Sequence, residues 1–270
     1  MRIFSMFLIF TTLEAIALGS TPSPLPSFDP VTGELIKSDI KSIISPNTLY
    51  PIETVLGTTH YEMAKIVARV ETSRGSGFCT GSRIAKDLIL TNHHCADNAG
   101  LKTIFHFGYE KESLAENRAK FKTLEIVIQS LRNDFAIFRV APLSDVDAEI
   151  AENYPIATLS RKSLSLNQLV LVPGHPNGDP KKIDISEQCR LTRVETFYWS
   201  SRNNIQHQCD TLGGSSGSPV IDRDTGHIIA LHWGGTGGYR SNHAIPITSI
   251  LDYLKDRNPD LLASLTLAEY

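Results

Sequence analysis

The chain has 270 residues, of which 41% are hydrophobic and 20% are charged, and its formal net charge at pH 7 is −3. This composition is typical of a globular protein, either one large domain or two small domains packed together. The balanced charge and the lack of a Lys/Arg-rich block argue against a nucleic-acid partner. No apolar run after the N-terminus reaches the roughly 18 residues needed to span a bilayer, so no membrane partner is expected once the leader is removed.

Residues 1–20 have the layout of a secretory signal peptide. An apolar stretch follows Arg2 and ends in small residues, with cleavage expected after Gly19 or Ser20. Glu14 interrupts the apolar stretch, so a non-cleaved amphipathic helix is the alternative. The signal-peptide interpretation predicts a secreted protein, extracellular or periplasmic.

Residues 21–52 are rich in Pro, Ser and Thr and predict a pro-segment or linker rather than core. From Tyr61 onward, short apolar runs recur between Gly, Asn, Asp or Pro, and their length and Val/Ile/Phe content predict strands. The runs are MAKIVARV, RIAKDLILT, KTIFHFG, TLEIVIQ, FAIFRV, QLVLVPG, SPVID and HIIALHWGG. Their number and spacing predict an all-β sandwich or barrel.

Two segments have helical character. Residues 140–153 are ambiguous because their apolar spacing is irregular. Near the C-terminus, one apolar helix face is predicted, with Thr248 or Ser249 as its N-cap. The positions of this face are Ile247, Ile250, Leu251 and Leu254.

The four cysteines form an even set, and in an exported chain two disulfides are the default interpretation. The cysteines are Cys79, Cys95, Cys189 and Cys209. Zinc is the competitor, because His93, His94 and Cys95 are adjacent and Cys79 could join them. Adjacent residues point to opposite faces and no Cys-x-x-Cys spacing occurs, so we expect no metal.

Three stretches together carry the chemistry of a hydrolase, in the order His, Asp, Ser. TNHHC follows a predicted strand, NDFAIFRV places Asp134 at the start of an apolar strand, and GGSSGSP is a glycine-rich turn with three serines. A buried unpaired carboxylate is costly, so Asp134 must be exposed, cap a turn, or pair with a donor.

Each residue type in this set has a definite task. A serine hydroxyl needs an imidazole to take its proton, and the imidazole needs a carboxylate to hold its tautomer. The glycines let the backbone aim two N–H groups at the oxyanion that forms. Order and local pattern exclude an α/β-hydrolase esterase, whose order is Ser, Asp, His.

These stretches resemble the chymotrypsin-like serine peptidases, and most closely their bacterial glutamyl endopeptidase branch. The resemblance rests on LILTNHHC, NDFAIFRV, GHP at 174–176, GGSSGSPV and HIIALHWGG with the helix after it, over roughly residues 60–257. It implies an all-β fold of two six-stranded antiparallel β-barrels with a C-terminal α-helix. The N-terminal barrel would occupy 53–150 and the C-terminal barrel with its helix 151–270.

By the same resemblance, the catalytic residues are His94, Asp134 and Ser216. Neither Ser215 nor Ser218 is then the nucleophile, and the oxyanion donors are the N–H groups of Gly214 and Ser216. The resemblance also implies a disulfide between Cys79 and Cys95 beside the catalytic histidine, which leaves Cys189 and Cys209 for the second bridge.

The specificity pocket carries conflicting indications. The resemblance to glutamyl endopeptidases assigns Thr211 and His232 to a substrate Glu, since both offer donors to a carboxylate. Asp210, six residues before Ser216, instead resembles the Lys/Arg-binding residue of trypsin-like relatives. Because two positions support it, we favour cleavage after Glu. Asp210 would then turn outward or pair with His232.

We therefore expect a serine endopeptidase that acts on protein or peptide substrates as a monomer, without any cofactor. The alternatives are trypsin-like cleavage through Asp210 and a non-catalytic binding protein on the same scaffold. Ser215 stands where the digestive enzymes carry the Asp that pairs with a freed N-terminus, so that activation switch is not expected. The sequence leaves open whether the chain is a zymogen.

Overall fold

The computed structural model describes residues 43–44, 47–111, 116–199, 202–235 and 241–268. The predicted signal peptide and most of the predicted pro-segment lie outside these residues. The strands are β1 Tyr50–Pro51, β2 Val67–Glu71, β3 Gly77–Ala85, β4 Leu88–Thr91, β5 Ile104–Phe107, β6 Ala119–Ser130, β7 Phe135–Pro142, β8 Leu159–Ser160, β9 Val170–Gly174, β10 Lys182–Asp184, β11 Leu191–Trp199, β12 Arg202–His207, β13 Pro219–Asp222, β14 Ile228–Gly235, β15 Asn242–Pro246 and β16 Leu267–Ala268. The α-helices are α1 Thr59–Ala64, α2 His93–Ala99, α3 Asp145–Ala151, α4 Ile247–Arg257 and α5 Pro259–Ala263.

The first six-stranded barrel closes in the order β2-β3-β4-β7-β6-β5, and every pair in it is antiparallel. Its interior is strongly aromatic. The rings of Phe105 and Phe138 meet edge to face with centroids 5.3 Å apart, and those of Phe107 and Phe121 do so at 5.4 Å. Such pairs add to the stability that burial of the rings provides.

The second barrel contains six antiparallel strands in the order β9-β13-β14-β15-β12-β11. A bridge between Leu169 and Arg190 joins the ends of this series, so the barrel is closed just before β9 and β11. The amide of Val170 donates to the carbonyl of Cys189 at 3.0 Å in the same contact. The predicted pair of six-stranded barrels is thereby confirmed. Strands β1, β10, β8 and β16 extend this sheet, the last two through parallel pairs.

A third apolar cluster lies between the barrels and under α4, in addition to the cluster inside each barrel. It combines Leu90 and Phe135 of the first barrel with Leu171 and Leu231 of the second. Burial of this shared surface holds the two barrels in one relative position, which fixes the geometry of the cleft between them.

Helix α4 has the predicted apolar face, because Ile247, Ile250, Leu251 and Leu254 are all buried. The predicted cap is wrong: β15 leads directly into the helix, Pro246 occupies the N-cap, and no side chain caps it. The ambiguous segment divides into the end of β7 and helix α3, which Ser144 caps by accepting from the amide of Asp147. The run MAKIVARV begins in α1, and only its second half is a strand.

The end of the predicted linker is part of the folded body. Strand β1 pairs with β10, and Ile52 is fully buried in the shared cluster. Among the described residues, no helix has the length and apolar character needed to cross a membrane.

Candidate active site

Asp134 is fully buried at the turn before β7, and its carboxylate is paired with His94. The ring Nδ1 of His94 lies 2.9 Å from Oδ2 of Asp134, and the His94 amide donates to Oδ1 at 3.1 Å. Asp134 has a φ of 42°, in the left-handed region that Asp tolerates better than most residues. The side-chain amide of Asn92 donates to its carbonyl oxygen at 2.8 Å. Of the three environments the sequence allowed, the structure contains the paired one.

His94 is the member of the histidine pair that contacts this carboxylate. It lies in the first turn of α2, and its Nδ1 carries the proton toward Asp134, which leaves Nε2 as an acceptor. The neighbouring His93 instead contacts Gln129 at 3.2 Å and the carboxylate of Asp97 at 3.1 Å.

The three serines of GGSSGSP have different environments. Ser218 is fully buried, and the hydroxyl of Ser215 accepts from the amide of Leu212 at 3.3 Å. Ser216 is the partly exposed one, and its hydroxyl donates to the carbonyl of Trp233 at 3.2 Å. The hydroxyl must rotate to reach an imidazole, as is common in ligand-free hydrolases.

The amides of Gly214 and Ser216 donate to no protein acceptor in the described part of the chain. Gly214 has a φ of 90°, and a Cβ added there would lie 2.6 Å from the carbonyl oxygen of His175. Only glycine fits this position. The two amides are therefore available to a ligand oxygen.

Two disulfides join Cys79 to Cys95 and Cys189 to Cys209. The first lies beside the site, since Sγ of Cys95 is 3.8 Å from the carbonyl oxygen of Ser216. Within the described ranges, Cys79, His94 and Cys95 are the group whose donor atoms lie close enough to share a metal ion. Both sulfurs are bonded to each other, so they offer no thiolate to a metal.

The predicted pocket residues Thr211 and His232 are both buried, and His232 is linked to a second histidine. The amide of Cys209 donates to Nδ1 of His207 at 3.3 Å, so His207 carries its proton on Nε2. That nitrogen donates to Nδ1 of His232 at 3.1 Å, which leaves the proton of His232 on Nε2. His207 was not predicted as a pocket residue, because it ends a polar strand two residues before a cysteine and no local motif marks it.

Burial keeps these histidines neutral. It lowers the pKa of His232 to about 3, with smaller effects of the same sign from His243 and His94. Burial also lowers the pKa of His243 to about 4, and that of His207 well below its usual value. His232 is therefore an uncharged imidazole in the ligand-free protein near neutral pH.

Asp210 faces the N-terminal segment. Its carboxylate accepts from the amide of Ile44 at 2.6 Å, the amide of Thr48 at 2.8 Å and the hydroxyl of Thr48 at 3.0 Å. That hydroxyl also lies 2.8 Å from the carboxylate of Asp184. The sequence predicts that Asp210 turns outward or pairs with His232. The structure has neither arrangement, because Asp210 is 2% exposed and does not contact His232.

Comparison with known proteins shows the family to which the chain is similar. Residues 75–231 match the family model described as a trypsin-like peptidase domain. The chain is 29% identical over 193 residues to Secreted RxLR effector protein 73 of Plasmopara viticola, covering 65% of this chain and 46% of that protein. It is 24% identical over 223 residues to a glutamyl endopeptidase of Staphylococcus aureus (strain MRSA252), covering 82% of this chain and 60% of that protein. The chain thus spans 46% and 60% of the length of these two relatives.

Solved structures share the fold. A Glu endopeptidase in complex with MPD matches with a TM-score of 0.55 and 19% identity, over 80% of this chain and 100% of that one. The active form of the Rv3671c protease from M. tuberculosis matches with a TM-score of 0.56 and 16% identity, over 80% of this chain and 90% of that one. At these identities the similarity concerns the fold alone.

The neutral histidines predict a pH-dependent stability. Their pKa values are lowered on folding, so below about pH 6.5 the unfolded chain binds protons that the folded chain does not, and stability falls as the pH falls. A fully buried neutral histidine contributes a slope of up to about 1.4 kcal/mol per pH unit. The free energy of unfolding, measured with urea between about pH 6.5 and about pH 5, should depend less steeply on pH in His207→Gln than in the wild type. Equal slopes would contradict the buried neutral state of His207.

Proposed function

The chain belongs to the trypsin-like peptidase family, near its glutamyl endopeptidase branch, and on this premise we propose that it is a secreted serine endopeptidase that cleaves after acidic residues. We assign Ser216 as nucleophile, His94 as general base and Asp134 as the carboxylate that holds the histidine. The observation that carries the assignment is the buried Asp134 carboxylate on Nδ1 of His94.

The reaction follows from the protonation states. Because Nδ1 of His94 donates to Asp134, Nε2 accepts the Ser216 proton as Oγ attacks the substrate carbonyl. His94 then gives this proton to the leaving amine, and the same two steps with water hydrolyse the acyl-enzyme. The free amides of Gly214 and Ser216 stabilise the oxyanion, and one such donor contributes about 2.7–4 kcal/mol to lowering the barrier.

The contacts of Asp210 support the acidic preference. Its carboxylate is occupied by the amides of Ile44 and Thr48 and by the Thr48 hydroxyl, so it offers little to a substrate Lys or Arg. His232 and Thr211 remain as buried polar groups for a substrate carboxylate. A bound carboxylate would raise the pKa of His232 and oppose the effect of burial.

Export and domain division belong to the same proposal. Two disulfides favour an oxidising compartment, and one relative is named as a secreted protein. We assign residues 1–20 as the signal peptide, 53–150 as the barrel that carries His94 and Asp134, and 151–270 as the barrel that carries Ser216.

Ser216→Ala should abolish Ser-dependent cleavage of an unfolded protein substrate while the Tm stays close to that of the wild type. The matched variant Ser215→Ala should remain active, because its hydroxyl contacts only the loop. Labelling by a fluorophosphonate should disappear in Ser216→Ala alone. Labelling that persists in that variant would remove Ser216 from the mechanism.

Asp134→Asn should lower turnover by about 10⁴-fold, since an amide cannot hold the tautomer of His94 that accepts the serine proton. Asp97→Asn is the control, because Asp97 contacts the neighbouring His93. Steady-state kinetics of both variants measure the effect. A loss below about tenfold in Asp134→Asn would contradict the assigned role.

Cleavage-site mapping on a mixture of unstructured peptides tests the specificity. Cuts after Glu, or after Glu and Asp, are expected, and Thr211→Val should lower kcat/KM for them more than Thr211→Ser, which keeps the hydroxyl. Cuts after Lys or Arg would instead assign the pocket to Asp210. An absence of cuts that depend on Ser216 would favour a binding protein.

A further inference from the structure

Four consecutive carbonyl oxygens of the serine loop each accept a hydrogen bond. Two of the donors come from one residue of the first barrel, Thr80, whose hydroxyl bonds to Gly214 at 2.9 Å and whose amide bonds to Ser216 at 2.8 Å. The carbonyl of Gly213 accepts from the amide of Asn177 at 2.5 Å, and that of Ser215 from the amide of Ser218 at 2.9 Å. Hydrogen bonds therefore fix the direction of each of these four carbonyl groups.

These bonds determine where the amides point. In a trans peptide the C=O and the following N–H point in opposite directions, so a carbonyl held on one side aims the next amide to the other. The amides of Ser215 and Gly217 are used inside the protein, by Leu212 and His232. The amides of Gly214 and Ser216 are the two left for the oxyanion.

Gly214 is a position at which the backbone of this loop can change conformation. Because glycine has no Cβ, its φ and ψ angles can vary widely, and fixing the orientation of the peptide before Gly214 does not fix the peptide after it. The conformation of Gly214 is therefore fixed when the peptides on both of its sides are hydrogen-bonded. The amide of Asn177 holds the peptide before Gly214. The hydroxyl of Thr80 holds the peptide after it, together with the bond from the Ser215 amide to the carbonyl of Leu212.

The hydroxyl of Thr80 has a fixed direction. The amide of His175 donates to its Oγ1 at 3.0 Å, so the hydroxyl proton is left to point at Gly214. Thr80 is fully buried. Replacing the hydroxyl with a methyl group would leave the Gly214 carbonyl with no donor in a site that excludes water.

We propose that Thr80 is a positioning residue of the oxyanion site, acting through its hydroxyl on Gly214. The inference rests on the proposed function. Thr80 does not touch the substrate; it holds the Gly214–Ser215 peptide, which lies between the two oxyanion amides, and so keeps the position of one amide relative to the other. Its loss should therefore lower kcat with little change in KM, because a bound ground-state carbonyl depends less on these donors than the transition state does.

The test compares Thr80→Val, which keeps the shape and removes the hydroxyl, with Thr80→Ser, which keeps the hydroxyl. We expect kcat to fall about 10- to 100-fold in Thr80→Val, part of the cost of losing an oxyanion donor, and to stay near wild type in Thr80→Ser. Thr103→Val is the matched control, because Thr103 is buried and its hydroxyl donates to the carbonyl of Gly100 at 2.7 Å, remote from the site. It should keep full kcat.

Fluorophosphonate labelling gives a second readout. Ser216 Oγ forms a P–O bond as the P–F bond breaks, fluoride leaves, the serine proton passes to His94, and the phosphoryl oxygen enters the oxyanion site. Labelling of Thr80→Val should slow in parallel with kcat, and the pH midpoint of kcat/KM should not move, because His94 and Asp134 are intact. If Thr80→Val does not fold, Thr80→Ala removes the same hydroxyl without adding a methyl group.

Wild-type kcat in Thr80→Val, a change confined to KM, or an equal loss in Thr80→Ser would overturn the positioning role while leaving the peptidase assignment intact. A wild-type protein that neither reacts with the fluorophosphonate nor cleaves any peptide would overturn the proposed function itself. The two failures are therefore distinguishable.

Discussion

The site depends on a contact between two backbones at the junction of the barrels. A Cβ added to Gly217 would lie 2.0 Å from the carbonyl oxygen of Thr80, and one added to Gly178 would lie 2.3 Å from that of Gly77. The first barrel brings its histidine and carboxylate to this junction, and the second brings the serine loop. Because no side chain separates the two backbones there, main-chain hydrogen bonds such as the one from the Thr80 amide to the Ser216 carbonyl set the position of the serine loop relative to the first barrel.

The buried carboxylates of this region keep their hydrogen-bond donors. Asp134 and Asp210 are both shielded from water, yet each carboxylate is met by several donors. The pocket histidines have no nearby carboxylate among their described contacts, and burial keeps them neutral. The structure thus pairs one carboxylate with His94, binds the other to the N-terminal segment, and keeps the imidazoles of His207 and His232 uncharged. In the proposed function, these imidazoles offer a substrate carboxylate donors rather than a competing anion.

Much of the fold could be predicted from the sequence, because most strands coincide with short Val-, Ile- and Phe-rich runs between turn residues. FAIFRV became β7, QLVLVPG became β9, and the apolar face of α4 was visible in its spacing. Helices α1, α2 and α5 were not predicted, since pieces of five to seven residues are stabilised by tertiary packing rather than by propensity. Of the site, the motifs indicated the residue types. The direction of Asp210, the partner of His232 and the role of Thr80 depend on contacts across the chain that no local pattern records.

The contacts of Asp210 have a consequence for the residues that precede the first barrel. Thr48 shares one hydroxyl between two buried carboxylates, Asp184 and Asp210, and the amides of Ile44 and Thr48 supply further donors to the second. Cutting the chain after Thr48 would remove all of these donors at once from two adjacent buried carboxylates. The first described residues therefore help to stabilise the second barrel, although they precede the first barrel in the chain.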